Sequence, residues 1–117
     1  MQIGPYNIEG GVVLAPMAGV TDAPFRRICL RRGASLAVGE MASSKEGLRT
    51  TDMTMRRLAC DAQDQLPVVQ LLGADPLEMA SAAQTAVACG AKIIDINFGC
   101  PARVVCGKAC GSAIMRE

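Results

Sequence analysis

The sequence contains no histidine and no tryptophan, and its only aromatic residues are Tyr6, Phe25 and Phe98. Without imidazole, the chain by itself offers neither a Ser-His-Asp triad nor a zinc site of the Cys/His type. Neither sign of charge dominates, because the chain has 12 Lys and Arg and 11 Asp and Glu. The net charge therefore gives no argument for a nucleic-acid partner. Chemistry in this chain must therefore use cysteine, carboxylates or a cofactor.

Long apolar runs are also missing. No run approaches the ~18 residues that indicate a membrane span, and the start MQIGPYNIEGG lacks the basic and apolar regions of a signal peptide. The six cysteines are even in number, but the other features of a small secreted disulfide scaffold are absent, so we expect free thiols. The sequence predicts a cytoplasmic protein with no membrane contact and no stable protein partner.

What is present is the composition of a folded chain. Half of the 117 residues are hydrophobic and a fifth are charged, which excludes disorder and predicts one domain at most, covering residues 1–117. Eight of the 12 cations fall between residues 26 and 57. This local excess could contact phosphates, although such arginines more often lie on a solvated helix face.

Apolar runs alternate with helical patterns along the whole chain. Short apolar runs at residues 12–15, 35–38, 68–72 and 93–96 predict buried strands. Helices are predicted from a Thr21 or Asp22 cap with Pro24 to Gly33, over residues 53–59, and from Asp75 and Pro76 to Gly90. Gly111 and Ser112 introduce a last helix that reaches Glu117. Strands of this kind, alternating with helices, indicate an α/β fold with a parallel sheet.

Both the open doubly wound sheet and the (β/α)8 barrel share this alternation. The Gly-x-Gly-x-x-Gly fingerprint of a dinucleotide-binding domain is absent after the first strand, where APMAGV stands instead. Distinctive residues recur at the carboxyl ends of strands, where a barrel builds its site. A barrel needs ~250 residues. We therefore expect the N-terminal part of a TIM barrel, about four βα units, with the barrel incomplete in this chain.

Three motifs carry a resemblance to a known family. They are LAPMAGVTD at residues 14–22, VQLLG at residues 69–73, and DINFGCP at residues 95–101, followed by GSA at residues 111–113. In order and spacing the chain resembles the tRNA-dihydrouridine synthase family, and its bacterial B-type branch most closely. The resemblance implies an FMN-dependent barrel, reduced by NADPH, that saturates the C5=C6 bond of uridines in tRNA.

The resemblance also implies roles for individual residues. It implies that Pro16, Met17, Ala18 and Gln70 contact FMN, that Cys100 donates a proton to the uracil ring, and that Asn97 contacts the substrate. A buried amide such as Gln70 needs a partner, which the polar edge of a flavin offers, although a satisfied core amide is the plainer interpretation. In related barrels the FMN phosphate is held by loops after later strands, so we expect this chain to be inactive alone.

Alternatives remain for the other cysteines and for the function. Cys106 and Cys110 depart from the residues expected in their loop. With Cys100 they form a series that matches no zinc or iron-sulfur spacing, so we expect no metal.

The protein could also be a different FMN-dependent barrel oxidoreductase acting on a small unsaturated substrate, or a fragment without activity. The sequence does not say which uridine would be modified.

Overall fold

The computed structural model describes residues 1–49, 51–61 and 63–116. Short strands alternate with helices along it. The strands are β1 Gln2–Ile3, β2 Tyr6–Asn7, β3 Val13–Leu14, β4 Leu36–Ala37, β5 Ala42–Ser43, β6 Val68–Leu72 and β7 Ile93–Ile96. The helices are α1 Ala23–Arg31, α2 Glu46–Arg49, α3 Asp52–Leu58, α4 Pro76–Ala88 and α5 Arg103–Cys106, followed by a 3-10 helix at Gly111–Arg116.

The two longest helices begin at the predicted caps. Asp22 Oδ1 accepts a hydrogen bond of 2.9 Å from the N–H of Phe25, and Asp75 Oδ1 accepts bonds of 2.9 Å from the N–H groups of Leu77 and Glu78. Both helices carry a proline in their first two positions, where no backbone hydrogen-bond partner is lost. Among the helices of the described residues, none has the length and apolar composition needed to cross a membrane.

The strands pair in parallel and in chain order, apart from the N-terminal hairpin. β3 pairs with β4, Val38 just beyond β4 bridges to Val68 of β6, β5 pairs with the end of β6, and β6 pairs with β7. The predicted α/β class with a parallel sheet is thus confirmed. A doubly wound sheet reverses its order at a switch point. No reversal occurs among the strands that the structure describes, and this order agrees with consecutive βα units of a barrel.

The strands predicted at residues 68–72 and 93–96 are confirmed as β6 and β7, whereas the first two strands are shorter than predicted. The structure reduces residues 12–15 to β3 and residues 35–38 to β4 with the Val38 bridge. Three strands were not predicted: the antiparallel pair β1 and β2, and β5 between the second predicted strand and the helix at residues 53–59. Two-residue strands have no periodicity to detect, and β5 forms because the backbone of β6 is there to pair with it.

The predicted last helix is present and begins at Gly111. It is a 3-10 helix over residues 111–116, and Glu117 lies outside the described residues. The predicted helix over residues 53–59 is confirmed as α3, which begins one residue earlier and is capped by Thr51.

Both faces of β6 are covered, as its continuous apolar sequence predicts. Val69 and Leu71 pack with Ala82 and Ala86 of α4 and with Leu58 of α3. Residues of even number on β6 point the other way. There Val68 packs in a second cluster of buried residues, joined by Ile8, Leu36 and Val38. Gln70 lies on this second face, one step nearer the carboxyl end of the strand.

Candidate active site

A cavity of about 490 Å³ lies at the carboxyl ends of three parallel strands. Five of the six residues predicted for the site line it: Pro16 and Ala18 after β3, Gln70 on β6, and Asn97 and Cys100 after β7. Met41, Ile96, Phe98, Gly99 and Pro101 complete the lining. The topology therefore brings together predicted site residues that are up to 84 positions apart in sequence, from Pro16 to Cys100.

Met17 is the predicted site residue that the structure does not bring into the cavity lining. Met17 is 41% exposed, and its backbone is held by a turn. The N–H of Met17 donates to Oγ1 of the fully buried Thr21 over 3.1 Å, and its carbonyl accepts from the N–H of Thr21 over 3.0 Å. Thr21, which the sequence offered as a possible helix cap, thus fixes the loop that carries Pro16 and Ala18.

A second anchor holds the same loop from the side. Glu40 Oε2 accepts from the N–H of Gly19 over 3.0 Å and pairs with Arg57 Nη2 over 3.2 Å. The Glu40 carboxylate connects the loop after β3 to helix α3, and so contributes to the shape of the cavity from outside its lining.

Gln70 is nearly completely buried, at 6% exposure, and both ends of its amide are paired within the chain. Nε2 donates to Asp95 Oδ2 over 2.6 Å, and Oε1 accepts from Asn97 Nδ2 over 2.9 Å. The parallel register, in which Gln70 and Asp95 are partners, sets the first contact. Gln70 is thus satisfied without a ligand, although the amide keeps one N–H and one lone pair.

Asn97 connects this pair to the loop of Cys100. Its Oδ1 accepts hydrogen bonds from the backbone N–H of Gly99 over 3.3 Å and of Cys100 over 3.0 Å. The predicted substrate contact is therefore also an organiser of the loop. Asp95 is the residue that sequence reasoning missed, and its signal was a lone carboxylate inside the apolar strand IIDI.

The carbonyl of Cys100 is held from the opposite side. It accepts from the N–H of Ser112 over 3.0 Å and from Cys106 Sγ over 3.4 Å. Gly111 adopts a φ of +63°, and a Cβ there would lie 2.6 Å from the Cys100 carbonyl oxygen, so only glycine permits this approach. The half-buried Cys100 thus sits on a backbone fixed on both sides.

The structure gives Cys106 and Cys110 local roles. Cys106 Sγ lies 3.3 Å from Ser112 Oγ as well as near the Cys100 carbonyl, while the buried Cys110 donates to the carbonyl of Lys108 over 3.3 Å. Within residues 1–49, 51–61 and 63–116, no three His, Cys, Asp or Glu side chains form a group suited to a metal ion.

Three of the clustered arginines are held in internal ion pairs. Arg26 pairs with Asp64, Arg27 with Asp61 and Arg57 with Glu40. Arg26 also donates to the carbonyl of Thr21 over 2.9 Å, which links helix α1 to the loop after β3. The positive charges of these three side chains are thus used in contacts within the fold.

The residues around the cavity suit a planar ring with a polar edge. Pro16, Ala18 and Met41 offer apolar surface, and the unused N–H and lone pair of Gln70 can bond a ring that carries both acceptors and a donor. A flavin has both properties. The lining therefore fits the ring portion of FMN.

Fold and site together define an α/β protein whose candidate active site lies at the carboxyl ends of parallel strands. A family model described as dihydrouridine synthase matches residues 13–117, and the chain belongs to that family. It is 50% identical over 117 residues to tRNA-dihydrouridine synthase B of Pseudomonas aeruginosa and 52% identical over 117 residues to that of Shewanella oneidensis. The Vibrio vulnificus protein of the same name is 48% identical over 116 residues.

These matches cover nearly all of the chain but a minor part of each relative. The chain is covered to 100%, 100% and 99%, while the relatives are covered to 35%, 36% and 36%. The chain thus spans about a third of the length of the curated relatives it matches.

Proposed function

We propose that this chain forms the N-terminal part of the TIM-barrel domain of a tRNA-dihydrouridine synthase, which uses FMN and NADPH to reduce the C5=C6 bond of uridine in tRNA. Family membership supports the reaction class, and three relatives carry the name tRNA-dihydrouridine synthase B. The observation that carries the proposal is that Pro16, Ala18, Gln70, Asn97 and Cys100 line one and the same cavity.

Reduction of the C5=C6 bond adds a hydride to one carbon and a proton to its neighbour. FMN, when bound, supplies the hydride that NADPH has delivered to it. Cys100 supplies the proton: its S–H bond breaks as the new C–H bond forms, and the thiolate then recovers a proton from solvent. The thiol suits this role because it lines the cavity and its backbone is held by Asn97 and Ser112.

The remaining residues bind and orient. Pro16, Met17 and Ala18 provide the turn beside the ring, and Gln70 offers its second N–H to the polar edge. Asn97 Nδ2 donates one N–H to Gln70, and both lone pairs of Oδ1 accept from the backbone N–H groups of Gly99 and Cys100. The second N–H of Nδ2, which otherwise faces only the weak acceptor Met41 Sδ at 3.9 Å, is left for the uracil.

The test uses a full-length chimera, in which residues 1–117 replace the matching segment of the Pseudomonas aeruginosa relative. The wild-type chimera should bind FMN and form dihydrouridine in unmodified tRNA with NADPH. Cys100→Ala should keep FMN and its reduction by NADPH, but dihydrouridine formation should drop by ~10²–10⁴ because the general acid is lost.

The matched control is Cys106→Ser, which keeps a hydrogen-bond donor near the Cys100 carbonyl and should change the rate far less. Full turnover by Cys100→Ala, together with loss in Cys106→Ser, would show that the proton donor is misassigned. Reduction of free uridine monophosphate but not of tRNA would favour the oxidoreductase of small unsaturated substrates.

A further inference from the structure

Asp95 begins a chain of side-chain hydrogen bonds that ends at the backbone of Cys100. Gln70 Nε2 donates to Asp95 Oδ2 over 2.6 Å, Asn97 Nδ2 donates to Gln70 Oε1 over 2.9 Å, and the Cys100 N–H donates to Asn97 Oδ1 over 3.0 Å. We refer to these four residues as the amide relay. Its first member had no role in the predicted site.

The two ends of the amide relay determine its direction. A carboxylate can only accept hydrogen bonds, and a backbone N–H can only donate them, whereas each amide between them can turn over. With an acceptor at Asp95 and a donor at Cys100, a single orientation of both amides satisfies all three contacts. Any other orientation sets two donors or two acceptors against each other, at a cost that is larger for a buried group such as Gln70.

We propose that Asp95 is a positioning residue for the uridine reduction: it orients the amides of Gln70 and Asn97, and through them the backbone that carries Cys100. This inference rests on the proposed function for the reaction it serves. Because Gln70 Nε2 is turned toward Asp95, its second hydrogen is the group left for the flavin edge. Asp95 therefore also decides whether Gln70 presents a donor or an acceptor there.

Removing the hydrogen-bond acceptor at position 95 should slow the half-reaction in which the reduced flavin reduces tRNA uridine. In the full-length chimera, Asp95→Leu should slow the transfer from reduced flavin to tRNA uridine by about 10- to 100-fold, the cost of misplacing a reacting group by about 1 Å. Reduction of the flavin by NADPH, which does not use the Cys100 proton, should change much less. Asp95→Asn keeps an oxygen that Gln70 can bond, and should restore the uridine step to within a few-fold.

A second readout does not depend on activity. The rate at which iodoacetamide alkylates Cys100, followed by peptide mass mapping, should change in Asp95→Leu and stay near the wild-type rate in Asp95→Asn. If Asp95→Leu fails to fold, Asp95→Ser replaces it, because the shorter hydroxyl does not reach the position of Oδ2. The matched control is Ile94→Ala, on the same strand but packed against the cluster that faces α4, which includes Val69, Leu71, Ala82 and Ala86 and which we call the helix-side cluster.

The outcomes separate the two proposals. A wild-type chimera that forms no dihydrouridine contradicts the proposed function, and the alkylation rates still decide whether Asp95 positions Cys100. Asp95 has only a structural role if Asp95→Leu and Ile94→Ala slow both half-reactions equally, in proportion to the thermal stability that each variant loses. Unchanged rates and unchanged alkylation in Asp95→Leu would overturn the inference.

Discussion

The six thiols of this chain differ mainly in what surrounds them. Cys60, beside the helix-side cluster, has its pKa raised, first by burial and then by the nearby Cys89 and Asp64. A raised pKa keeps a thiol protonated and unreactive, which agrees with a packing role for Cys60. Cys100 instead lines a cavity on a backbone that two loops hold. The surroundings of Cys100 thus agree with the role proposed for it, and those of Cys60 agree with packing.

Gln70 carries the prediction for the cofactor. In the full-length chimera, Gln70→Leu should weaken FMN binding by ~1–3 kcal/mol, because the flavin edge and Asp95 both lose a buried partner. Fluorescence titration of the apoprotein with FMN measures this, with the exposed Gln65→Leu as the control. An unchanged affinity of Gln70→Leu for FMN would show that Gln70 does not bind the flavin and is a core amide that serves only the amide relay.

The start of a helix depends on local capping residues, whereas the pairing of a short strand depends on its neighbours in the fold. Helix α4 starts at a side-chain cap and a proline that are legible in the sequence. Strand β5 has no such signal, since its one alanine and one serine form a strand only beside β6. Helix boundaries are therefore local properties, whereas the shortest strands depend on their neighbours.

The cap of helix α4 provides the prediction at this scale. Asp75→Ala should lower stability by ~0.5–2 kcal/mol, because two backbone N–H groups lose the acceptor that satisfies them. Asp75→Asn keeps an oxygen at the same position and should retain most of that stability. Thermal unfolding of the full-length chimera compares the two variants, and an equal loss in both would show that charge, and not capping, stabilises this end.

At the scale of the molecule, the sheet has two open edges among the described residues. β3 pairs on one side only, with β4, and β7 pairs on one side only, with β6. Apolar side chains are exposed at both edges, with Val12 at 65% and Ile96 at 46% exposure. A closed barrel has no such edges, whereas open apolar edges promote association.

The 117-residue chain expressed alone should therefore aggregate, form dimers through these edges or fold loosely, and it should not be yellow. Size-exclusion chromatography with an absorbance scan across the flavin band measures both properties. The full-length chimera serves as the positive control, being expected to be monodisperse and yellow. A cooperatively unfolding monomer of the chain alone with stoichiometric FMN would contradict the partial barrel.

The sequence by itself determined the α/β class, the two long strands β6 and β7, the capped helices and the family motifs. These features follow from local periodicity, capping chemistry and residue spacing, which a linear chain displays directly. The hairpin of β1 and β2 and the turn that holds Met17 against Thr21 are local contacts, but they are too short to show a periodicity in the sequence. Only the tertiary structure decided strand β5, because it forms beside the distant backbone of β6. The amide relay is of the same kind. Asp95 and Gln70 are 25 residues apart, and it is the parallel register of β6 and β7 that places a carboxylate beside a buried amide.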